Sequence, residues 1–383
     1  MHTTHSPSTS PVKVVSLFSG GLDSVLAAKA IQRQGIDVLA LHFVSPFFGK
    51  VESIPYWQRE YGLTIQSVDI SEEFLALLMN RPPRGFGKVL NPCVDCKVLM
   101  MRHARQIMES VGAVAIVSGE VLGQRPMSQR TETLNTILND ADVRGLVLRP
   151  LSAKLLQPSQ AELDGLIDRD ALYAISGRGR KAQLALAEEF GLRSIPTPAG
   201  GCKLTETEIA RNYWKILNHL PKPQVSDFFL ADCGRQLWSP ANEWLIVGRN
   251  KRNNELLLQY ASSDDYIFRV EKYAGPIALA RNIKASDSTV FEDLAELVAT
   301  YSPKAMQAHE AGEAIGVRVH QGSLETEGFV VGVSPSRERT RFKEACWDEV
   351  KEEKRAEARA GFEKIEAEKA KKAEYFERPS SED

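Results

Sequence analysis

From Val12 to about Ser118, short continuous apolar runs alternate with stretches of helical spacing, and this alternation is what most narrows the fold. Lys13–Phe18 reads as a buried strand, Leu22–Gln34 as a helix, Val38–Phe43 as a second buried strand and Ile65–Asp69 as a third. Lys97–Val111 has helical spacing, Ala115–Ser118 is a fourth strand and Gly145–Arg149 a fifth. Strands that are apolar on both faces must be covered on both faces. The expectation is therefore an α/β domain with a doubly wound parallel sheet, whose ligands bind at the C-terminal ends of the strands.

At the end of the first strand stands Ser19-Gly20-Gly21-Leu22-Asp23-Ser24, which opens the first helix. Two glycines let the backbone approach an anion, and the amides at a helix start point toward it. Ser19 and Ser24 add hydroxyl donors, and Asp23 is placed to hold a magnesium ion against phosphates. The hexapeptide resembles the PP-loop of the ATP pyrophosphatase superfamily. That resemblance implies ATP and Mg²⁺ as cofactors, cleavage between the α- and β-phosphates, and adenylation of a carbonyl oxygen. Gly-Lys-Ser/Thr is missing, so a Walker loop and phosphoryl transfer are not expected. In this superfamily the end of the second strand lies near the adenine, which puts His42 and Phe43 there; a packed strand-end histidine is the plainer reading of His42.

The chain has five cysteines, an odd number that argues against a disulfide framework and for thiols kept for chemistry or metal. Cys93 and Cys96 lie three positions apart in Asn91-Pro92-Cys93-Val94-Asp95-Cys96-Lys97, just before a helix. A helix N-terminus favours thiolate, and this spacing lets both sulfurs ligate one metal ion or cluster. Cys202 follows two glycines in Pro198-Ala199-Gly200-Gly201-Cys202-Lys203-Leu204. Three thiolates leave one iron of a [4Fe–4S] cluster open to bind sulfide. A redox pair of Cys93 and Cys96, or a zinc site, remains an alternative, although zinc needs a fourth ligand and only His103 is near in sequence. Cys233 and Cys346 have no such setting and read as structural or incidental.

Asn-Pro-x-x-x-Cys after a PP-loop resembles the tRNA 2-thiouridylases of the MnmA type. The resemblance makes Cys96 and Cys202 the two sulfur-handling cysteines; Cys93 stands where that family usually has Asp. Ser118-Gly119-Glu120-Val121-Leu122-Gly123-Gln124, followed by Ser128-Gln129, resembles the 4-thiouridine synthetases of the ThiI type, with one extra residue before Ser128. It implies a nucleotide-site role for Gly119 and Gln124. Only about a dozen residues precede the first strand, so the THUMP region of those enzymes is not expected. Together these likenesses cover about residues 12–204.

Leu204–Leu220 reads as a helix capped by Thr205 or Thr207, and Pro221 and Pro223 mark a boundary. Beyond it come short β-like runs: Phe228–Leu230, Trp244–Val247, Glu255–Gln259, Tyr266–Val270 and Gly328–Val333, with a helix at Phe291–Tyr301. The segment from Trp244 to Leu257 reads as strand, polar turn and strand, with Arg249, Lys251 and Arg252 on the turn. It resembles the Gly-Arg-Asn segment of the NFACT-R RNA-binding module. A second basic stretch, with Arg178, Arg180 and Lys181, enters a helix and invites phosphate contacts. Trp347 to about Phe376 is dense in charge and reads as a solvated helix.

The expected organisation is a disordered tail at 1–11, a PP-loop domain at 12–204, a helical linker at 205–225, an RNA-binding module at 226–340 and a charged helical extension at 341–383. Over 383 residues the net charge is −2, so any nucleic-acid surface must be a local patch. No apolar run reaches the roughly 18 residues needed to span a bilayer, and the polar start lacks a signal core, so a cytoplasmic protein is expected. The combined expectation is an ATP-dependent tRNA sulfurtransferase making 4-thiouridine or 2-thiouridine. Its sulfur would come from sulfide or a cysteine desulfurase or persulfide carrier. The alternatives are another PP-loop nucleobase-modifying ligase and a non-catalytic nucleotide-sensing RNA adaptor.

Overall fold

A computed structural model of the protein describes residues 13–126, 128–196, 201–284, 289–336 and 341–376. It divides into two compact units, Met1–Glu206 and Thr207–Asp383. Pro198, Ala199 and Gly200 of the Gly-Gly-Cys turn lie outside the described residues, as does the 1–11 tail.

The first unit runs β1 (Lys13–Leu17), α1 (Leu22–Gln32), β2 (Asp37–Val44), α2 (Ile54–Tyr61), β3 (Thr64–Asp69), α3 (Ser71–Met79), α4 (Cys93–Ser110), β4 (Ile116–Ser118), α5 (Thr131–Asp140), β5 (Val147–Leu148), α6 (Gln160–Leu163) and α7 (Lys181–Glu189). Its sheet has the order β3-β2-β1-β4-β5 and every pairing is parallel, with Val15 opposite Leu39 on one side and Ile116 on the other. The expected doubly wound sheet is present. The chain moves outward from β1 to β3, then crosses back to β4. The reversal lies between β1 and β4, and the crevice beyond their C-terminal ends is the natural ligand position. Helix α1 is buried along most of its length, with Val25, Leu26, Ala27 and Ile31 inaccessible to solvent. Between Val25 and Ile31 only Lys29 is polar, so the sequence shows a run of small and branched apolar residues rather than a broad polar face.

The second unit runs α8 (Thr207–His219), α9 (Val225–Leu230), β6 (Arg235–Trp238), β7 (Trp244–Val247), α10 (Lys251–Gln259), β8 (Tyr266–Val270), β9 (Ile277–Arg281), α11 (Thr289–Ala299), α12 (Pro303–Glu310), β10 (Ile315–Gln321), β11 (Phe329–Val333) and α13 (Trp347–Phe376). Six strands form an antiparallel sheet in the order β11-β10-β8-β9-β7-β6. One face packs Leu245, Phe268, Ala278 and Val317 against Leu294 and Val298 of α11.

Two expected strands are helices. Phe228–Leu230 belongs to α9, which starts at a capping box between Gln224 and Asp227. Glu255–Gln259 belongs to α10, so the basic segment is strand, loop and helix rather than a hairpin. Asn250 decides it: the residue is extended and its side chain accepts from Asn253 N at 2.9 Å, which starts a helix. The stretch read as a linker, 205–225, consists mainly of α8 and runs to the first residue of α9, and from Thr207 onward it lies within the second unit. Trp214 of α8 donates from Nε1 to Glu353 Oε2 of α13 at 2.7 Å.

Candidate active site

The loop between β1 and α1 is tied into a tight cradle. Gly21 N reaches Ser19 Oγ at 3.3 Å, and Ser24 Oγ donates to Gly21 O at 2.8 Å. Gly20 has φ +77°, and a Cβ there would stand 2.3 Å from the Trp57 ring, so both conformation and space require glycine. The Leu22 side chain is buried in the core, which leaves its amide as the only group it can offer an anion. Asp23, in the first turn of α1, accepts from Gln124 Nε2 through Oδ2 at 3.0 Å. Among the described residues its other oxygen, Oδ1, is buried without a partner, and so is Gln124 Oε1. A buried, unpaired carboxylate oxygen beside a phosphate cradle is the donor a hard cation takes, so the residues fit Mg²⁺. Gly119, just past β4, packs against the same turn: a Cβ would lie 2.6 Å from Asp23 O. The element from Ser118 to Gln124 thus meets the nucleotide loop across the β1/β4 crevice.

His42 and Phe43 are largely used by the fold. Lys50 N donates to His42 Nε2 at 2.9 Å, so Nδ1 carries the proton and donates to Phe18 O at 2.9 Å. The ring stands edge-on to Trp57 with centroids 4.9 Å apart. The Phe43 side chain is buried. Burial pushes the His42 pKa down despite the favourable contacts with Phe18 O and Glu52. A histidine whose folded pKa lies below its unfolded value stabilises the fold above the unfolded value, about 6.5. That stability is lost as pH falls from there toward the folded pKa, because the unfolded chain binds the proton better. The expected result is a thermal midpoint that declines below pH ~6.5. His42→Asn should make that decline shallower while leaving the contribution of His219, whose pKa burial also lowers.

The thiols come from two segments. Cys93 begins α4, and its Sγ accepts from Asn91 Nδ2 at 3.0 Å. Cys96 lies one turn further on. The Cys202 segment is held there by backbone pairing, in which Lys203 N donates to Phe47 O at 2.9 Å and Leu90 N to Leu204 O at 3.0 Å, and by the Lys203 side chain, whose Nζ donates to Pro46 O at 2.9 Å. The three thiols interact electrostatically. Burial pushes the Cys96 thiol up, and Cys202, Cys93 and Asp95 push it the same way against Lys97. Burial raises Cys202 to about 11, opposed by the Leu204 amide. The thiolate expected for Cys96 from its place in the first turn of α4 is therefore corrected: burial and neighbouring thiols outweigh the helix terminus. Among the described residues no three His, Cys, Asp or Glu side chains are gathered closely enough to hold a metal ion as they stand. The donor set itself, three neighbouring thiols that would repel one another as thiolates, is one whose charge an iron–sulfur cluster offsets. Cys233 is buried and Cys346 exposed, both in the second unit.

The basic stretch of the first unit borders the cradle. Ser176 bridges Leu122, and Gly177 N donates to Leu122 O at 2.8 Å, two residues before Gln124. Arg178 and Lys181 are exposed there and Arg180 precedes α7. In the second unit Arg249, Lys251 and Arg252 are exposed around the start of α10. Their loop is fixed from beneath, since Asn253 Oδ1 accepts from Gly234 N at 3.2 Å and Arg249 N at 3.3 Å.

A family model described as thiamine biosynthesis protein (ThiI) matches residues 9–154, and one described as NFACT protein RNA binding domain matches residues 234–338. The chain carries a ThiI-type PP-loop domain and an NFACT-R RNA-binding domain. The ThiI-type domain is similar to two proteins named probable tRNA sulfurtransferase. One, from Methanothermobacter thermautotrophicus, is 32% identical over 176 residues, 44% of this chain and 43% of the relative. The other, from Thermococcus kodakarensis, is 31% identical over 145 residues, 36% of each. The chain thus matches less than half the length of these relatives. A solved 4-thiouridine synthetase–RNA complex with bound ATP is 21% identical, with coverage of 47% of this chain and 51% of that one and a TM-score of 0.31. No helix among the described residues is long and apolar enough to cross a membrane.

Sequence reasoning missed Trp57, which floors the cradle, and the charged groups Lys97, Glu120 and Arg149 between the loop and the thiols. Arg149 had a readable signal: it is a charge that closes an apolar strand.

Proposed function

We propose that the protein thiolates a uridine of tRNA in an ATP-dependent reaction. The observation that carries this reading is the meeting, in one unit, of a phosphate cradle with an unpaired Asp23 oxygen and three mutually interacting thiols. The ATP phosphates lie on the amides from Gly20 to Ser24, with Ser19 and Ser24 as further donors and Asp23 toward Mg²⁺. Gly119 and Gln124 close the cradle from the β4 side. The uridine carbonyl oxygen attacks the α-phosphorus and pyrophosphate leaves. Sulfur then displaces AMP from the activated carbon. In the persulfide route Cys96 carries the sulfur, and Cys202 attacks the Cys96 sulfur to free the product and form a disulfide. In the other route Cys93, Cys96 and Cys202 would hold a [4Fe–4S] cluster, which would supply the sulfide. The Ser118–Gln129 element favours 4-thiouridine, with 2-thiouridine the other outcome. Sulfide or a persulfide carrier such as a cysteine desulfurase is the donor.

In this reading Arg178, Arg180 and Lys181 beside the cradle, and Arg249, Lys251 and Arg252 in the NFACT-R domain, contact tRNA phosphates. Replacing the last three with Ala is expected to weaken tRNA binding. The plot of log affinity against log salt should flatten by about one unit for each phosphate that is no longer neutralised, with ATP affinity unchanged. An unaltered salt slope removes the NFACT-R loop from the docking surface. The test of the function itself is tRNA-dependent release of pyrophosphate from ATP, which the reading requires and an adaptor would not show.

A further inference from the structure

Glu120 lies just beyond β4, and its side chain is 3% exposed. Its Oε2 accepts from Ser118 Oγ and from Arg149 Nε, each at 3.2 Å, and its Oε1 lies 3.7 Å from Lys97 Nζ. The Arg149 side chain is 4% exposed, and among the described residues its Nη2 has no partner. Three segments meet at this carboxylate: the end of β4, the end of β5 and α4 at Lys97, just past its first turn. Burial alone would push the Glu120 carboxyl up; Lys97, Arg149 and Ser118 more than offset that and hold it below the usual carboxylate range.

A buried ion pair is a poor way to stabilise a fold, because desolvation cancels much of the attraction. Its location indicates a different use. The preceding residue, Gly119, is pressed against the Asp23 carbonyl, and Lys97 follows Cys96 directly. A single short segment therefore touches the nucleotide loop at one end and the thiol-bearing turn at the other.

We propose that Glu120 is a positioning residue, a charged strut that fixes the thiol turn of α4 relative to the nucleotide loop through Lys97 and Arg149. The strut rests on the nucleotide and sulfur-transfer reading above and adds to it the group that registers the two half-reactions. A neutral amide at 120 keeps the shape but releases Lys97 and leaves two cations uncompensated. Reacting groups displaced by about 1 Å lose roughly a hundredfold in rate, and the loss falls on the step that needs the thiols.

The test uses the full chain and the variants Glu120→Gln, Lys97→Met and Lys97→Arg. In single turnover with ATP, tRNA and whichever donor supports wild-type thiolation (sulfide, or a cysteine desulfurase with cysteine), Glu120→Gln and Lys97→Met are expected to slow sulfur transfer at least ~10-fold more than pyrophosphate release, with Lys97→Arg recovering most of it. A purely structural role would slow both steps alike, and that result, or no effect on either, overturns the proposal. A second readout needs no turnover: alkylation of Cys96, followed by mass spectrometry with and without a non-hydrolysable ATP analogue. The analogue is expected to change the wild-type rate by about threefold or more and to leave the rate in Glu120→Gln and Lys97→Met nearly unchanged. Equal responses in wild type and variants overturn the strut. Failure of the wild type to bind the analogue, read by calorimetry, overturns the nucleotide reading and the strut with it, and is distinct from the first result.

Discussion

Asp23→Ala is expected to abolish tRNA-dependent pyrophosphate release while leaving the protein folded. In the proposed reaction Asp23 holds the cation that neutralises charge on the departing pyrophosphate, a contribution of several kcal/mol to transition-state charge stabilisation. That corresponds to a loss of at least about a hundredfold in rate. Stability should change little, because the lost hydrogen bond from Gln124 Nε2 is offset by removal of Oδ1, which is buried without a partner among the described residues. Asp23→Asn provides the contrast. Its amide oxygen can still accept from Gln124 Nε2, yet it offers the metal a neutral ligand, so it should also be inactive. Steady-state pyrophosphate release and a melting curve check both parts, and wild-type turnover in Asp23→Ala would remove the PP-loop assignment.

The second large effect concerns the thiols. Cys96→Ala and Cys202→Ala are each expected to stop thiolation while pyrophosphate release continues, because sulfur delivery follows adenylation in both routes. Cys93 separates the routes. A cluster needs Cys93, Cys96 and Cys202 together, so anaerobically reconstituted wild type would bind about four irons per chain, and Cys93→Ala would lose both iron and activity. A persulfide route needs only Cys96 and Cys202 and leaves Cys93→Ala active with no iron bound. Cys233→Ala and Cys346→Ala should change neither measurement. The raised pKa values of Cys96 and Cys202 add a pH arm. Without metal these thiols are protonated at neutral pH, and thiolation by persulfide should accelerate as pH rises. Thiolates fixed by a cluster would show no such rise from those groups.

The parallel sheet was legible because strands covered on both faces leave uninterrupted apolar runs, and the nucleotide loop because glycine at 20 is demanded by both φ and the Trp57 ring. The second unit was less so. Three consecutive leucines, Leu256 to Leu258, suit a strand or a helix equally, and the decision lay in a single cap from Asn250. Strands β6, β9 and β10 were not anticipated; Ala278 and Ala280, which face the core of β9, carry little strand signal. At the site, the motifs located Asp23 and the cysteines but not their relations. The segment that carries Cys202 is held beside α4 by backbone bonds of Lys203 and Leu204 to Phe47 and Leu90, which sequence spacing does not encode. The thiol acidity was misjudged for the same reason: the helix terminus is visible in sequence, whereas burial arises only when the segments close over one another. Lys97, Glu120 and Arg149 are far apart in the chain, and only the parallel pairing of β4 with β5 brings the last two together.

The central claim is that adenylation and sulfur transfer to tRNA occur on this one chain. The most direct measurement is mass spectrometry of nucleosides from unmodified tRNA incubated anaerobically with the protein, ATP, Mg²⁺ and a thiol reductant, in parallel with sulfide and with a cysteine desulfurase plus cysteine as the sulfur donor. The account predicts 4-thiouridine or 2-thiouridine accumulating in step with AMP and pyrophosphate, and none when ATP is omitted or Asp23 is Ala. Pyrophosphate release without any thionucleoside, or thionucleoside formed equally well without ATP, would contradict it.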